Sequence, residues 1–212
     1  MQFDAANEPI VLGKTLFMGS SSDGSLQAFD TESGKARWTF YTEGPIRCAP
    51  VAWEDKVYVG SDDGYLYCLD ATTGKESWKV RGAPADRPDY RQLGNARLIS
   101  YWPVRGGAVL HEGTIYFGAG IWPSMGVFVH AVDAQTGKIR WSNREVNFIE
   151  QVRLDHNDLQ EAGLSPQGYF LFVNGKLQVP NGRSMPAGFD PTTGELLQYV
   201  QGYRRGDSRV TA

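Results

Sequence analysis

Two groups of residues in this chain have types and spacings that could do chemistry. The first is the run Asp155-His156-Asn157-Asp158, the one place where several ionisable types stand together. A carboxylate beside an imidazole can orient it for proton transfer. Side chains of adjacent loop residues diverge, so a plain surface turn is the competing reading. The second group is spread along the chain: Arg97, Tyr101, Trp102, Arg105 and Trp122, then Gln167 and Arg183. Guanidinium offers a planar fork for carboxylate or phosphate, and indole or phenol offers a stacking face. With Asp155 and His156, this set suits an anionic, sugar-like or aromatic small ligand, or a peptide segment. The same arginines could instead stitch loops to the fold by bonding backbone carbonyls.

Other chemistries lack their parts. His111 precedes the Glu112-Gly113 turn and is expected exposed; His130 lies in a strand-like run and is expected packed. Neither has a third ligand at a metal-site spacing. Asp62-Asp63-Gly64 resembles a piece of a calcium loop but lacks the run of oxygen ligands that ion needs, so it reads as a hairpin. Gly118-Ala119-Gly120 is followed by Ile121-Trp122-Pro123, which cannot open the helix of a dinucleotide site. The net charge of −3 and the pI of about 5.6 do not point to nucleic acid. No apolar run approaches the ~18 residues of a membrane helix.

A site made of loop residues needs a scaffold, and a repeat supplies it. Lys56 to Trp78 reads strand, Asp62-Asp63-Gly64 hairpin, strand, Asp70-to-Lys75 turn, strand. Asp can bond its own backbone to start that second turn and Gly closes it. Asp30 to Trp38 and Asp133 to Trp141 repeat the turn and the following Trp; Asp190 to Glu195 is a weaker copy, with Gln198-Tyr199 where the Trp would fall. The turn glycines stand at 34, 74, 137 and 194, a spacing of 40 followed by longer intervals that require insertions. Four short strands at a period near 40 are the signature of propeller blades. The expected fold is therefore all-β: a β-propeller section of four-stranded antiparallel blades.

One such section over residues 1–212 has blades at about 8–42, 46–80, 104–142 and 167–200, with insertions at 81–103 and 143–166. The first insertion shows no clean period; in the second, Leu154 to Ala162 could form a short helix. Such connections cross one face near the central channel, where loop residues collect into sites. Trp38, Trp78 and Trp141, with Gly34, Gly74 and Gly137, are expected to dock neighbouring blades. The register sets Cys48 on a first strand and Cys68 on a third, too far apart for a disulfide, so both are expected reduced. The N-terminal MQFDAANEPIVLG has no basic start before an apolar core, so it does not read as a signal peptide. The tail from Gly202 to Ala212 is polar and basic and is expected to fray; its Arg205-Gly206-Asp207 tripeptide is a chance match.

The unit VYVGSDDGYLYCLDATTGKESW, with copies ending in Arg37-Trp38 and Arg140-Trp141, resembles the quinoprotein-type repeat. That repeat builds the propellers of pyrroloquinoline-quinone (PQQ) alcohol dehydrogenases and also non-catalytic propellers, including outer-membrane assembly lipoproteins. The resemblance covers about residues 8–200. Residues 102–133 and 165–190 look like a narrower bacterial group of PQQ-binding-like propellers best represented in planctomycete-type genomes. Catalytic members resemble one another in a vicinal Cys-Cys disulfide, a Trp under the quinone, a calcium held by Glu, Asn and Asp, and an Asp base. Here the two cysteines are 20 residues apart and no calcium-ligand set can be matched position by position.

The resemblance thus implies a non-catalytic binding or scaffold module for a protein or small ligand, with no cofactor expected from this chain. The alternative is part of a PQQ-dependent dehydrogenase, with PQQ and calcium, whose remaining blades are absent. Propellers of this type usually close with seven or eight blades, so the outer faces of the first and fourth blades call for further blades or a second copy, the remaining alternative being a small ring that closes alone. The resemblance suggests the periplasm or cell envelope.

Overall fold

A computed structural model describes residues 8–94, 96–147, 150–153, 159–181 and 184–199. The protein is all-β, with four four-stranded antiparallel sheets, each strand pairing with the next in sequence. The first blade is β1 (Ile10–Leu12), β2 (Thr15–Gly19), β3 (Ser25–Asp30) and β4 (Ala36–Tyr41). The second is β5 (Val51–Trp53), β6 (Lys56–Gly60), β7 (Tyr65–Asp70) and β8 (Glu76–Arg81). A hairpin of β9 (Arg91–Gly94) and β10 (Arg97–Ser100) precedes the third blade: β11 (Val109–His111), β12 (Thr114–Ala119), β13 (Phe128–Asp133) and β14 (Ile139–Asn143). A second hairpin, β15 (Glu150–Arg153) with β16 (Leu159–Ala162), precedes the fourth: β17 (Leu171–Val173), β18 (Lys176–Asn181), β19 (Ser184–Phe189) and β20 (Leu196–Gln198).

The strands form where β-branched and aromatic residues alternate, and tight turns need glycine or asparagine at positive φ. Asn174 and Gly175, at φ 51° and 74°, close the β17–β18 hairpin in this way. The alternation lets each blade turn apolar side chains toward its neighbours. Phe17, Leu26 and Ala28 of the first blade pack on Val57, Val59, Tyr67 and Leu69 of the second. Tyr58, Leu66 and Cys68 pack on Ile115, Phe117 and Val132 of the third, and Tyr116, Val129 and Ala131 on Leu177, Val179 and Phe189 of the fourth.

Three expectations are corrected. Leu159–Ala162 is a strand rather than part of a helix, paired in register with Glu150–Arg153. The first insertion is ordered by the β9–β10 hairpin, with Leu93 opposite Leu98. The inner strands begin later than the alternation suggests, at Val51, Val109 and Leu171 instead of Cys48, Val104 and Gly168. The residues before them bond the neighbouring blade. Ile46 N donates to Ser20 O at 3.3 Å, Val104 N to Ser61 O at 3.0 Å and Phe170 N to Gly107 O at 2.9 Å. Cys48 therefore lies ahead of the first strand; it and Cys68 are free thiols.

Candidate functional site at the insertion face

Both insertions, the enlarged β12–β13 hairpin and the segments leading into the inner strands lie at one end of the blades. The chain fixes this: Gly82 N donates to Gly64 O at 2.8 Å and Ser100 N to Asp62 O at 2.8 Å, tying the first insertion to the β6–β7 hairpin. Leu164 N donates to Val146 O at 2.7 Å, and the Ser165 hydroxyl donates to Ile121 O at 2.7 Å, tying the second insertion to the third blade. The Asp-to-Gly turns lie at the opposite end.

Among the described residues, those singled out by type take different roles. Trp102 is 2% exposed and belongs to the core. Its Nε1 donates to Met125 O at 2.7 Å, and its ring meets Tyr90, Tyr101 and Phe128 at centroid distances of 6.4, 6.0 and 6.4 Å. Trp102 with Tyr101 is thus the pedestal of the first insertion. Arg105 is spent on an ion pair. Arg97 and Gln167 are exposed, and Gln167 contributes its backbone N–H to Pro180 O at 3.1 Å. Trp122 projects at 56% exposure, just ahead of a single turn of 3-10 helix, Pro123–Met125. His156, Arg183 and the rest of Asp155-to-Asp158 lie outside the described residues.

Arg105 belongs to a buried ion-pair cluster whose centre, Asp62, was not among those residues. Asp62, 1% exposed, accepts from two arginines. Arg47 Nε donates to its Oδ2 at 2.6 Å; Arg105 donates through Nε to Oδ1 at 3.0 Å and through Nη2 to Oδ2 at 2.6 Å. A buried carboxylate is tolerable only with partners of this kind. The signal was in the sequence: Pro45-Ile46-Arg47 and Pro103-Val104-Arg105 each stand four residues before an inner strand. Gln167 takes the corresponding place before β17. Asp63 is buried beside Asp62 and accepts from Glu43 N at 3.0 Å, Tyr65 N at 3.0 Å and the Tyr67 hydroxyl at 2.8 Å. Burial pushes its carboxyl pKa up against the pull of those bonds.

Several side chains close around this cluster. Cys48 Sγ donates to Arg105 O at 3.0 Å; burial first, then Glu8 and Asp62, pushes its thiol up to about 11. Tyr169 lies over Gly107, where an added Cβ would clash with its ring. The Tyr169 hydroxyl accepts from Ala49 N at 2.8 Å and meets the Glu8 carboxylate. His130, in the third blade, bonds Ser142 Oγ and Gly82 O, each at 2.7 Å, and burial lowers its pKa to about 4. With Nε2–H donating to that carbonyl, the imidazole is neutral and serves as a bridge between blades.

The exposed side chains of this face are polar and apolar, and the apolar ones include two facing leucines. Leu93 and Leu98 stand opposite each other on the β9–β10 hairpin at 82% and 58% exposure. The hairpin is held by Arg81, whose guanidinium donates to Arg87 O at 2.8 Å and Pro88 O at 3.1 Å, and by Arg91, which pairs with Asp89 at 3.1 Å and Glu43 at 3.3 Å.

The donor set around Asp62 does not suit a calcium ion, because both Asp62 oxygens already accept from guanidinium. Among the described residues no group of three or more His, Cys, Asp or Glu could hold a metal ion, and no helix is long and apolar enough to cross a membrane.

Comparison with known proteins agrees with the architecture. The family model described as outer membrane protein assembly factor BamB matches residues 3–143. A quinohemoprotein alcohol dehydrogenase, ADH IIB of Pseudomonas putida, is 32% identical over 152 residues, which cover 66% of this chain and 20% of that protein. Among solved structures, quinohemoprotein alcohol dehydrogenase from Comamonas testosteroni superposes with a TM-score of 0.67 at 20% identity, over 92% of this chain and 35% of that one. BamB from Moraxella catarrhalis superposes with a TM-score of 0.58 at 21% identity, over 88% of this chain and 49% of that one. The chain spans about a fifth of the length of the curated relatives it matches.

Proposed function

The chain belongs to the PQQ-type repeat propeller family described as outer membrane protein assembly factor BamB, and from that premise we propose that it is a scaffold module that binds a protein partner through its insertion face. The observation that carries this reading is the exposed Leu93–Leu98 pair on a hairpin anchored by arginines and an aromatic pedestal. A rigid hairpin presenting aliphatic side chains costs little entropy to dock. The family description supports a place in the cell envelope and a role in assembly.

A second reading, part of a quinone-dependent dehydrogenase, is favoured by the 32% identity to the Pseudomonas putida enzyme. The residues of the Asp62 cluster fit it poorly: Asp62 is committed to two arginines, and the Cys48 thiol, pushed up by burial, stays protonated.

The test is retention of envelope polypeptides from the source organism on the immobilised chain. Loss on Leu93→Ser with Leu98→Ser, but not on Lys75→Ala at the opposite end, supports the reading. Equal retention by all three forms overturns it.

A further inference from the structure

The blades and the β9–β10 hairpin treat their free edges differently. Where the outer strand of each blade pairs with its neighbour, the register breaks: between Ala28 and Phe29, Cys68 and Leu69, Ala131 and Val132, and Gly188 and Phe189. The outer strands of the first three blades also expose charged side chains, Arg37, Lys79 and Arg140. Bulges and edge charges keep a strand from recruiting another chain. The pairing of β9 with β10 has no such break from Arg91–Ser100 to Gly94–Arg97. Neither strand contains proline, and the Arg91 guanidinium is committed to Asp89 and Glu43.

The register decides which backbone groups face outward. Gly94 pairs with Arg97 across two intervening residues, so these two bond each other, and along the hairpin bonded pairs alternate with pairs that face away. Gln92–Ile99 is then bonded, as is the pair beyond Arg91–Ser100, where Tyr101 N donates to Tyr90 O at 2.9 Å. Leu93–Leu98 and Arg91–Ser100 turn their N–H and C=O groups away from each other. On the β10 side Ser100 N uses that direction to donate to Asp62 O at 2.8 Å. On the β9 side no described residue bonds the N–H or C=O of Arg91 or Leu93. The β9 edge thus presents the donors and acceptors of two alternate residues, at the spacing of a sheet ladder, beside the exposed Leu93–Leu98 pair. Ile99, on the opposite face of the hairpin, is buried.

We propose that the β9 edge takes an extended segment of the partner protein as a third strand. The proposal rests on the scaffold reading above and names the form of partner it requires. The segment carries aliphatic side chains at alternate positions, which cover Leu93 and Leu98, while its backbone pairs with Arg91 and Leu93. A helix would not serve, because its backbone groups already bond one another. A second copy of this chain would bring Arg91-Gln92-Leu93-Gly94 to the edge, with a single aliphatic residue, and would cover the pair less well.

The test selects displayed linear peptides on the immobilised full chain and measures the binders, as synthetic peptides, by fluorescence polarisation. Binders lost on Leu93→Ser with Leu98→Ser are expected to carry aliphatic residues at every second position. N-methylation of a peptide amide that faces the edge should weaken binding roughly tenfold or more, and methylation of the intervening amides should not. Arg91→Pro removes an outward N–H and no hairpin bond. It should weaken binding by a similar factor relative to Arg91→Ala, the control for the lost ion pairs. The methylation series decides alone if circular dichroism shows Arg91→Pro to be unfolded. Leucine-dependent binders with no alternation, in sequence or on methylation, overturn the added strand and leave the scaffold reading standing. Absence of any leucine-dependent binder overturns both. A wild-type dimer in light scattering that Arg91→Pro dissociates and Arg91→Ala does not also overturns the proposal, since a second copy would then be the occupant.

Discussion

Trp78 lies flat on Gly137 of the next blade, so close that a methyl group added there would fall 2.6 Å from its Cδ2 atom, and its Nε1 bonds Gln135 O. The same contact joins Trp38 to Gly74 and Trp141 to Gly194, which makes it the unit that chains these blades together. Gly34 provides an internal control, with φ +68° against +71° at Gly137 and no atom of the described residues within 4 Å of an added Cβ. Gly34→Ala should cost only the backbone strain, about 1–2 kcal/mol. Gly137→Ala should cost that and the displaced indole, about 3 kcal/mol or more in all. Urea unfolding of the two variants reads the difference; equal midpoints would show that the indole contact contributes nothing.

Trp102 should behave as a core residue. Trp102→Ala is expected to lose about 3–5 kcal/mol. Trp102→Phe, which keeps the ring but loses the bond to Met125 O, should lose about 1–2 kcal/mol. Denaturant midpoints check both; a Trp102→Ala variant as stable as the wild type would contradict its burial.

Asp62 holds two guanidinium groups, so its loss strands both. Asp62→Asn should destabilise by about 2–4 kcal/mol, toward the lower end because both arginines reach solvent. Replacing all three by apolar residues, Arg47→Met, Asp62→Leu and Arg105→Met, should recover most of that loss. A triple variant weaker than Asp62→Asn would show that the cluster contributes net stability.

His130 gives an acid limb to the stability curve. Its folded pKa is lowered to about 4 from 6.5, so below pH 6.5 the unfolded chain binds a proton that the folded chain refuses. Stability is complete above about pH 6.5 and falls toward pH 4 by about 1.4 kcal/mol per unit. Asp133, lowered to about 2 chiefly by Arg140 and then by the Thr136 hydroxyl, acts only at more acid pH. Unfolding measured between pH 7 and 4 should show this slope in the wild type and a shallower one in His130→Gln.

Both thiols are pushed up by burial, Cys48 to about 11 and Cys68 to about 12. At pH 8 neither is a thiolate to a useful degree, so a disulfide-exchange reagent should label the native protein slowly and the unfolded protein at once. Fast native labelling of Cys48 would contradict its placement against Arg105 O.

The blades were legible in the sequence because their signals are local. A strand such as Tyr65–Asp70 alternates within itself, and the Asp30, Asp70, Asp133 and Asp190 turns each carry their own cap and glycine. The starts of the inner strands were not legible, because Ile46, Val104 and Phe170 spend their N–H groups on another blade, which no local pattern shows. The β15–β16 hairpin was missed because Leu159–Ala162 is polar enough to pass for a helix. For the site, residue type misled. Trp102 and Arg105 carry ligand-binding side chains, but one is pinned under Met125 and the other committed to Asp62, a residue the hairpin pattern explained too readily. The repeated Pro-Ile-Arg and Pro-Val-Arg triplets carried that information. Nothing in the alternation of Arg91-to-Gly94 and Arg97-to-Ser100 marked the Leu93–Leu98 pair as the exposed one.

The scaffold assignment is tested most directly by placing a photo-crosslinking amino acid at Leu98, and for comparison at Lys75 in the Asp70 turn, in cells of the source organism. The account predicts a discrete crosslinked polypeptide from the Leu98 position and none from Lys75. Crosslinks of equal yield from both positions, or none from Leu98, would contradict it.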